Sequence, residues 1–138
     1  MQQALDTFAF RTAGSGLVEI TDEIAAWVRG TAIATGVLTL FCRHTSAGLL
    51  ITENASPAVP RDLLRWLGRA APEGTGYEHS DEGPDDMPAH IRAVITGNSL
   101  TLPIAEGRMM LGTWQGVFLA EHRHRPHRRE VVAHLLGA

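Results

Sequence analysis

Apolar and polar positions follow one another in the first part of the chain in a way that predicts strands separated by a helix. Residues 3–12 alternate with the period of two that is typical of a strand, and residues 17–20 extend the chain again after a glycine-rich turn. Residues 22–29 place apolar side chains at helical spacing behind two acidic residues, which suit a helix N-terminus after Thr21 as the cap. Residues 35–42 and 49–52 are rich in β-branched and apolar residues and predict two more strands.

Two further helices are predicted from residues typical of helix ends and from the spacing of their apolar side chains. Ser56 is a good cap for a helix that ends at Pro72 and that would bury Trp66 in its apolar stripe. A short helix is predicted from Pro88 to Gly97, with Val94 among its inward-facing residues. Between them, residues 73–87 show neither the strand period nor the helix period of apolar residues. Most of their acidic side chains are expected to face solvent. A loop of this length inside a compact domain is often functional.

The C-terminal part of the chain predicts three strands. Residues 99–104 alternate, and the connector 105–108 contains a glycine, so a hairpin is expected to lead into the apolar run 109–120. That run is interrupted by two glycines around Trp114, a pattern that predicts a bulged strand with a buried tryptophan. Residues 131–136 complete the set as a last strand.

Composition restricts the class of protein. A chain of 138 residues with 44% apolar residues forms one domain with a real core, which we expect to span residues 1–138. The net charge of −3 gives no electrostatic case for nucleic acid, and no apolar run is long enough to span a bilayer. All twelve basic residues are arginines, and the lone Cys42 excludes an internal disulfide and suits a reducing compartment. We therefore expect a cytoplasmic protein that binds neither membrane nor nucleic acid.

Three of the seven histidines come from separate predicted elements. His44 follows a strand, His79 lies in the acidic loop, and His90 lies in the first turn of the short helix. Three imidazoles can form a tetrahedral metal site that leaves one position for water, so the hypothesis is a divalent metal, zinc or magnesium, held by these residues. The alternative is that each histidine is a hydrogen-bonded structural residue, because no HxH or HxxxH pair links them.

Residues around His44 offer groups that suit an anion. Thr45 and Ser46 supply hydroxyls and Gly48 supplies an accessible backbone N–H, although the lysine and spacing of a P-loop are missing. Ser46 and His44 would share one face of a strand, but no G-x-S-x-G elbow surrounds the serine, which argues against a serine hydrolase. Near the C-terminus, residues 121–129 are rich in arginine and histidine, and we expect a solvated hairpin tip there because interleaved aromatic residues are missing.

Several segments of the chain together resemble the signatures of the YjbQ-like family, which is associated with secondary thiamine-phosphate synthase activity. The most specific is the run Gly-Thr-Trp-Gln at 112–115 within residues 99–117. Asp86 occupies a slot next to the methionine where the family often has Asn. The other matching segments are residues 44–48, 53–54, 77–79 and 86–91, and Glu121 follows them at the expected place.

The resemblance implies a fold, an assembly and an activity. The fold would be α+β, a two-sheet β-sandwich with two main helices and one short helix, and the assembly would be a homotrimer. The activity would join a pyrimidine diphosphate to a thiazole phosphate, a reaction that needs stabilisation of a diphosphate leaving group by a metal or by arginine. The substrate would thus be a small phosphorylated molecule.

On this hypothesis Glu121 acts as a base or as a partner of a metal ligand, with Thr45 and Ser46 orienting phosphate at the reacting centre. Four further residues are assigned to substrate binding: Arg43, Asn54, Trp114 and Gln115. Arg108 and Arg123 are two more cations near the motifs. The alternative function is a trimeric protein that binds a metal or a small anion without turnover, and nucleic-acid binding through the Arg/His-rich segment is a third hypothesis.

Overall fold

The computed structural model describes residues 1–74 and 76–138, and in these residues it contains two antiparallel sheets and three helices. The strands are β1 (Gln2–Thr12), β2 (Gly16–Glu19), β3 (Gly36–Cys42), β4 (Ala47–Glu53), β5 (Ser99–Ala105), β6 (Arg108–Met109), β7 (Gln115–Glu121) and β8 (His127–Gly137). The helices are α1 (Thr21–Gly30), α2 (Ala58–Ala70) and α3 (Asp86–Thr96). This is the α+β arrangement that the sequence predicted. Residue 75 of the predicted acidic loop lies outside the described residues.

The two sheets share one apolar core. The larger sheet has the strand order β1-β8-β3-β5-β6, and the smaller has the order β2-β7-β4. Leu40 of β3 and Leu119 of β7 are fully buried, and α1 adds Ile24 to the same cluster. Burying a side chain of this size contributes about 1.5–3 kcal/mol, so the joint core fixes the position of one sheet relative to the other.

One predicted strand is in fact two strands that belong to different sheets. The run 109–120 was expected to be a single bulged strand, but β6 ends at Met109 in the larger sheet and β7 begins at Gln115 in the smaller one. Between them the chain turns, and the Gly112 N–H donates to Oε1 of Gln115 over 2.8 Å. Trp114 is 63% exposed because it lies in this crossing segment, so the prediction of a buried tryptophan was wrong.

Four smaller expectations about the helices were also wrong. Thr21 is the first residue of α1 and not its cap, and its hydroxyl donates instead to Oε2 of Glu19. Trp66 and Val94, both expected to face inward, are 52% and 83% exposed. Helix α3 is eleven residues long and begins at Asp86, two residues before the predicted start. The earlier start places Asp86 on the same helix as His90, one turn away. In the described part of the chain no helix is long and apolar enough to cross a bilayer.

Candidate metal centre

Two of the three singled-out histidines meet at the N-terminus of α3. Nε2 of His79 lies 2.7 Å from Oδ2 of Asp86, and Nε2 of His90 lies 3.1 Å from the same oxygen. One ligand atom from each of these three residues lies within 4.8 Å of the other two. Asp86 and His90 are four residues apart on one helix and therefore share a face, while His79 approaches from the preceding loop. Two imidazoles and one carboxylate thus converge on a single point.

The tautomer of His90 is set by a backbone carbonyl. Nδ1 of His90 lies 2.8 Å from the carbonyl oxygen of Thr45, and because a carbonyl can only accept, Nδ1 must carry a proton. In the neutral ring Nε2 is then unprotonated, although it faces a carboxylate oxygen of Asp86 at 3.1 Å. Two lone pairs at this distance repel each other unless a proton or a cation lies between them. The geometry therefore suits either an imidazolium or a bound metal ion.

Asp86 is kept ionised by the two histidines and by a half-buried arginine. Nη1 of Arg123 donates to Oδ1 of Asp86 over 2.7 Å, and Nε donates to Oδ2 of the neighbouring Asp85 over 3.0 Å. Burial by itself would raise the pKa of Asp86, but the hydrogen bond to His79 and the charges of His90 and Arg123 outweigh it and lower the pKa. Burial likewise opposes ionisation of Asp85, yet the His124 backbone N–H and Arg123 lower its pKa to about 2. Both carboxylates are therefore anionic and buried.

A second buried ion pair holds the segment that orients His90. Arg129 and Glu121 pair through two hydrogen bonds, and Nη2 of Arg129 also donates to both the carbonyl and the hydroxyl oxygen of Ser46. Glu121 accepts a further bond of 2.6 Å from the hydroxyl of Thr12. Burial would raise the pKa of Glu121, but the bonds from Arg129 and Thr12 lower it, so the pair is fully ionised. Because Ser46 follows Thr45, this pair fixes the carbonyl that binds His90.

The structure places His44 beside this cluster but outside it. Nε2 of His44 accepts a hydrogen bond of 2.7 Å from the backbone N–H of Glu130, so that nitrogen is occupied and unprotonated. Burial, and after it the charge of Arg129, lower the pKa of His44 and favour the neutral ring. His44 lines a cavity of about 600 Å³ together with Thr45, His90 and residues of α3. It therefore shares a cavity with one of the two clustered histidines.

The remaining predicted residues divide between the two ends of the smaller sheet. Ser46 and Glu121 lie at the end next to the cluster, whereas Asn54, Trp114 and Gln115 lie at the other end. The Asn54 backbone N–H donates to the carbonyl of Trp114 over 3.0 Å, and its side chain donates to Oε2 of Glu19. Since β7 has seven residues, the two ends are about 20 Å apart. The Gly-Thr-Trp-Gln segment, whose Trp114 and Gln115 were assigned to substrate binding, is therefore not beside the histidine cluster of the same chain.

The arginines considered for phosphate all pair with carboxylates. Arg43 contacts Glu130 at 3.4 Å and Arg108 contacts Glu106 at 3.5 Å, both on the surface. Arg123 pairs with two aspartates in the interior. The segment 121–129, which was expected to be a solvated tip, contains three buried side chains: Glu121, His122 and Arg129.

Sequence reasoning missed Asp86 as a ligand and Arg129 as a buried residue. Asp86 could have been found from its spacing, because an acidic residue four positions before a histidine shares its helix face. Arg129 gave no such signal, since it is one of several arginines in a charged run and its burial depends on β1, β4 and β7 meeting around it.

The donor set at the cluster indicates which metal would fit. Imidazole nitrogen suits zinc and other divalent transition metals, whereas magnesium prefers six oxygen ligands in an octahedral arrangement. Two histidines with one carboxylate form a known type of catalytic zinc site with an open fourth position. The second nitrogen of His90 is bound to a backbone carbonyl, as is usual for a metal-ligating histidine.

Comparisons with known proteins place the chain in a family. The family model for UPF0047 protein YjbQ-like matches residues 6–138. A UPF0047 protein of Synechocystis sp. is 49% identical over 137 residues, which is 99% of this chain and 93% of the relative. YjbQ of Escherichia coli O157:H7 is 41% identical over 133 residues, 95% of this chain and 94% of the relative. The crystal structure of an uncharacterized conserved YjbQ/UPF0047 family protein from Clostridium acetobutylicum has 33% identity and a TM-score of 0.88, and the match covers 95% of this chain and 99% of that one. The chain therefore belongs to the YjbQ/UPF0047 family.

Proposed function

We propose that His79, Asp86 and His90 bind a divalent transition metal of the zinc type, and that this chain is a metal-dependent enzyme acting on a small molecule. The observation that carries the proposal is the position of His90 between two oxygens: its Nδ1 lies 2.8 Å from the carbonyl of Thr45 and its Nε2 lies 3.1 Å from the ionised carboxylate of Asp86. When the ring is neutral, a metal ion between Nε2 and the carboxylate replaces the repulsion of two lone pairs by two attractive contacts. His79, in the loop that precedes α3, completes a set of three ligands.

Each protein group around the cluster has a separate task in this proposal. The carbonyl of Thr45 keeps the proton of His90 on Nδ1, and Arg123 neutralises part of the negative charge of Asp86 and fixes its orientation. The buried Glu121–Arg129 pair holds the backbone at Ser46, so the ligand geometry is set before any metal enters. When bound, such a metal supplies a Lewis acid that can stabilise negative charge on a substrate oxygen or lower the pKa of a water molecule.

For the reaction we propose a transferase of the thiamine-phosphate synthase type, with a small phosphorylated substrate. A carbon–nitrogen bond would form between the pyrimidine and thiazole precursors, and the carbon–oxygen bond to diphosphate would break. The pairing of Arg43, Arg108 and Arg123 with carboxylates supports a metal as the stabiliser of the leaving group in the described part of the chain.

The proposal is tested in two steps with purified protein. Zinc affinity is measured by competition with a chromophoric chelator for the wild type, for His79→Ala and for His134→Gln, the last of which removes an imidazole remote from the cluster. We expect loss of tight zinc binding only in His79→Ala. Thiamine phosphate formation is then measured with both phosphorylated precursors.

Product above the His79→Ala background supports the transferase. Zinc binding without product contradicts it and favours the second function, a protein that binds a metal or an anion without turnover. A wild type with no higher zinc affinity than His79→Ala contradicts the metal site itself.

We also propose that the chain forms a homotrimer through the outer face of the larger sheet. Val37 lies opposite Leu136 in the register of β3 and β8, and Phe41 and Leu5 lie on the same face. All four side chains are between 42% and 71% exposed, so the face is apolar and uncovered in the single chain. A cytoplasmic location is part of the proposal, and its support is the single, buried and free Cys42.

A further inference from the structure

A cavity adjoins the histidine–aspartate cluster on the side of α3 that faces β4. It has a volume of about 600 Å³, which lies within the range of small-molecule sites. Thr45 and His90 line it, so one of the three proposed metal ligands, His90, also forms part of the cavity wall. A molecule in the cavity could therefore extend a polar group to the metal centre.

The cavity wall carries no formal charge when its histidines are neutral. Ala47, Ala93 and Val94 supply apolar surface, and the lining contains no Asp, Glu, Lys or Arg. A second cavity of about 620 Å³ differs in the charge of its lining. Its wall contains charged residues, among them Glu82, Arg123 and Arg125. An ionic group would be poorly solvated against the uncharged wall, whereas an apolar group would gain from burial.

His44 gives this cavity one directed polar group. Its Nε2 accepts the N–H of Glu130, so in the neutral ring the proton must be on Nδ1. No acceptor for that Nδ1–H occurs among the described residues within hydrogen-bond distance. The neutral ring therefore offers an unused donor in a wall that is otherwise mostly apolar.

We propose that this cavity binds the uncharged, largely apolar body of a small molecule whose metal-binding head group reaches the cluster at His90, and that the Nδ1–H of His44 donates to a hydrogen-bond acceptor on that body. The inference rests on the proposed metal site and assigns its substrate class. It gives His44 a binding role distinct from metal ligation. A fully ionic molecule is not a ligand of this cavity.

Two hydroxamates test the apolar part of the inference. Benzohydroxamate and acetohydroxamate carry the same metal-binding head group and differ in their body, phenyl against methyl. We expect zinc-loaded wild-type protein to bind benzohydroxamate at least about tenfold more tightly by calorimetry, because a phenyl ring buries more apolar surface. Equal affinities would overturn the inference.

Variants of the wall show whether the preference arises in this cavity. Ala93→Phe fills the space, and Val94→Asp places a charge at an exposed position that cannot disturb the core. Both should reduce the ratio of the two affinities to about twofold or less while zinc affinity stays at the wild-type value. The exposed substitution Arg65→Ala on α2 is the control and should leave the ratio unchanged. An unchanged ratio in Val94→Asp and Ala93→Phe would contradict the assignment.

Two further measurements test the hydrogen-bonding role of His44. Long-range ¹H–¹⁵N correlation spectra should show the proton of His44 on Nδ1. The 3- and 4-pyridyl hydroxamates add a ring acceptor to benzohydroxamate, and we expect at least one of them to bind more tightly to the wild type but not to His44→Phe. A proton on Nε2, or a pyridyl advantage that survives in His44→Phe, would overturn this role.

A control without metal separates this inference from the metal site. Benzamide added to metal-free protein should shift the amide signals of Ala47, Ala93 and Val94. If zinc fails to bind but these signals shift, the metal site is wrong and the cavity assignment stands. If zinc binds and they do not shift, the cavity assignment is wrong.

Discussion

At the scale of single residues, Asp86 connects the site to the rest of the protein. One carboxylate oxygen faces both histidines, and the other accepts the bond from Arg123. Only 2% of the residue is exposed, so its charge is compensated by these neighbours and not by water. Its place in the first turn of α3 adds the favourable field of the helix N-terminus.

Replacing the Asp86 carboxylate by an amide removes the charge of the side chain and keeps its shape, so the effect of the charge can be measured alone. We expect Asp86→Asn to weaken zinc binding by about 100-fold or more, because the loss of an outer partner of a ligand alone costs about 10–100-fold. Zinc affinity by chelator competition is the measurement. Asp81→Asn, which removes an exposed acid from the loop that precedes α3, is the matched control. Equal losses in the two variants would mean that only the total charge of this region affects zinc affinity.

The buried His122 should make the free energy of unfolding depend on pH. It is 1% exposed, and burial, followed by the charge of Arg92, lowers its pKa from 6.5 to about 4. The unfolded chain therefore takes up a proton between pH 6.5 and about 4 while the folded chain does not, so stability falls as pH falls through this window. The contribution lost is about 3 kcal/mol.

Urea unfolding of the wild type and of His122→Gln at pH 7, 5.5 and 4 measures this effect. We expect the free energy of unfolding to decrease less with acid in His122→Gln than in the wild type. Parallel decreases in both proteins would show that other groups cause the loss.

At this scale the sequence identified some site residues and not others. His79 and His90 could be singled out because each was a histidine with no local structural explanation. Arg129 could not be, because burial of one arginine among several depends on which strands surround it. His44 was correctly placed at the end of a strand, but its bond to the backbone of Glu130 depends on the pairing of β3 with β8.

At the scale of elements, the site depends on the contact between α3 and β4. The backbone N–H of Leu49 donates to the carbonyl of Gly97 over 3.0 Å, which fixes the C-terminal end of the helix against the strand. Gly48 makes this approach possible, because a Cβ atom at this position would lie 2.3 Å from that carbonyl oxygen. The helix that carries Asp86 and His90 is thereby held beside the strand that follows Thr45.

Adding a methyl group at Gly48 should therefore push the two elements apart. We expect Gly48→Ala to lower the free energy of unfolding by about 1–3 kcal/mol, the usual cost of overpacking. Gly68→Ala is the control, since Gly68 lies inside α2 with no atom near its Cβ position. It should raise stability by about 0.5–1 kcal/mol. Denaturant titration measures both, and a stable Gly48→Ala would show that the contact can relax.

Local patterns predicted most elements but not how the last strands are divided between sheets. The alternation of residues 99–104 and the helical spacing of residues 22–29 are decided by neighbours in sequence, so β5 and α1 were found. The change of sheet between Met109 and Gln115 depends on which partner each strand meets, β5 for one and β4 with β2 for the other. Apolar content alone cannot distinguish that crossing from a bulge.

At the scale of the whole molecule, the inner faces of the two sheets are buried, whereas the outer face of the larger sheet is exposed. The inner faces form the shared core, while Leu5, Val37, Phe41 and Leu136 stand on the outer face of the larger sheet. An apolar face of this kind is costly to leave in water, and a second copy of the same chain would cover it.

Light scattering after size exclusion tests this surface. We expect the wild type to elute with three times the mass of one chain, and Val37→Lys combined with Leu136→Glu to elute as a single chain. The substituted side chains are already about half exposed, so folding should be retained. A wild type that is monomeric at micromolar concentration would contradict the proposed trimer.

The central claim is that His79, Asp86 and His90 bind one metal ion. Its most direct test is a crystal of zinc-loaded protein measured on both sides of the zinc absorption edge. The account predicts one anomalous peak per chain, about 2.0–2.2 Å from Nε2 of both histidines and from a carboxylate oxygen of Asp86. A zinc-loaded crystal with no peak there, or with His90 still bonded to Asp86 and zinc elsewhere, would contradict it.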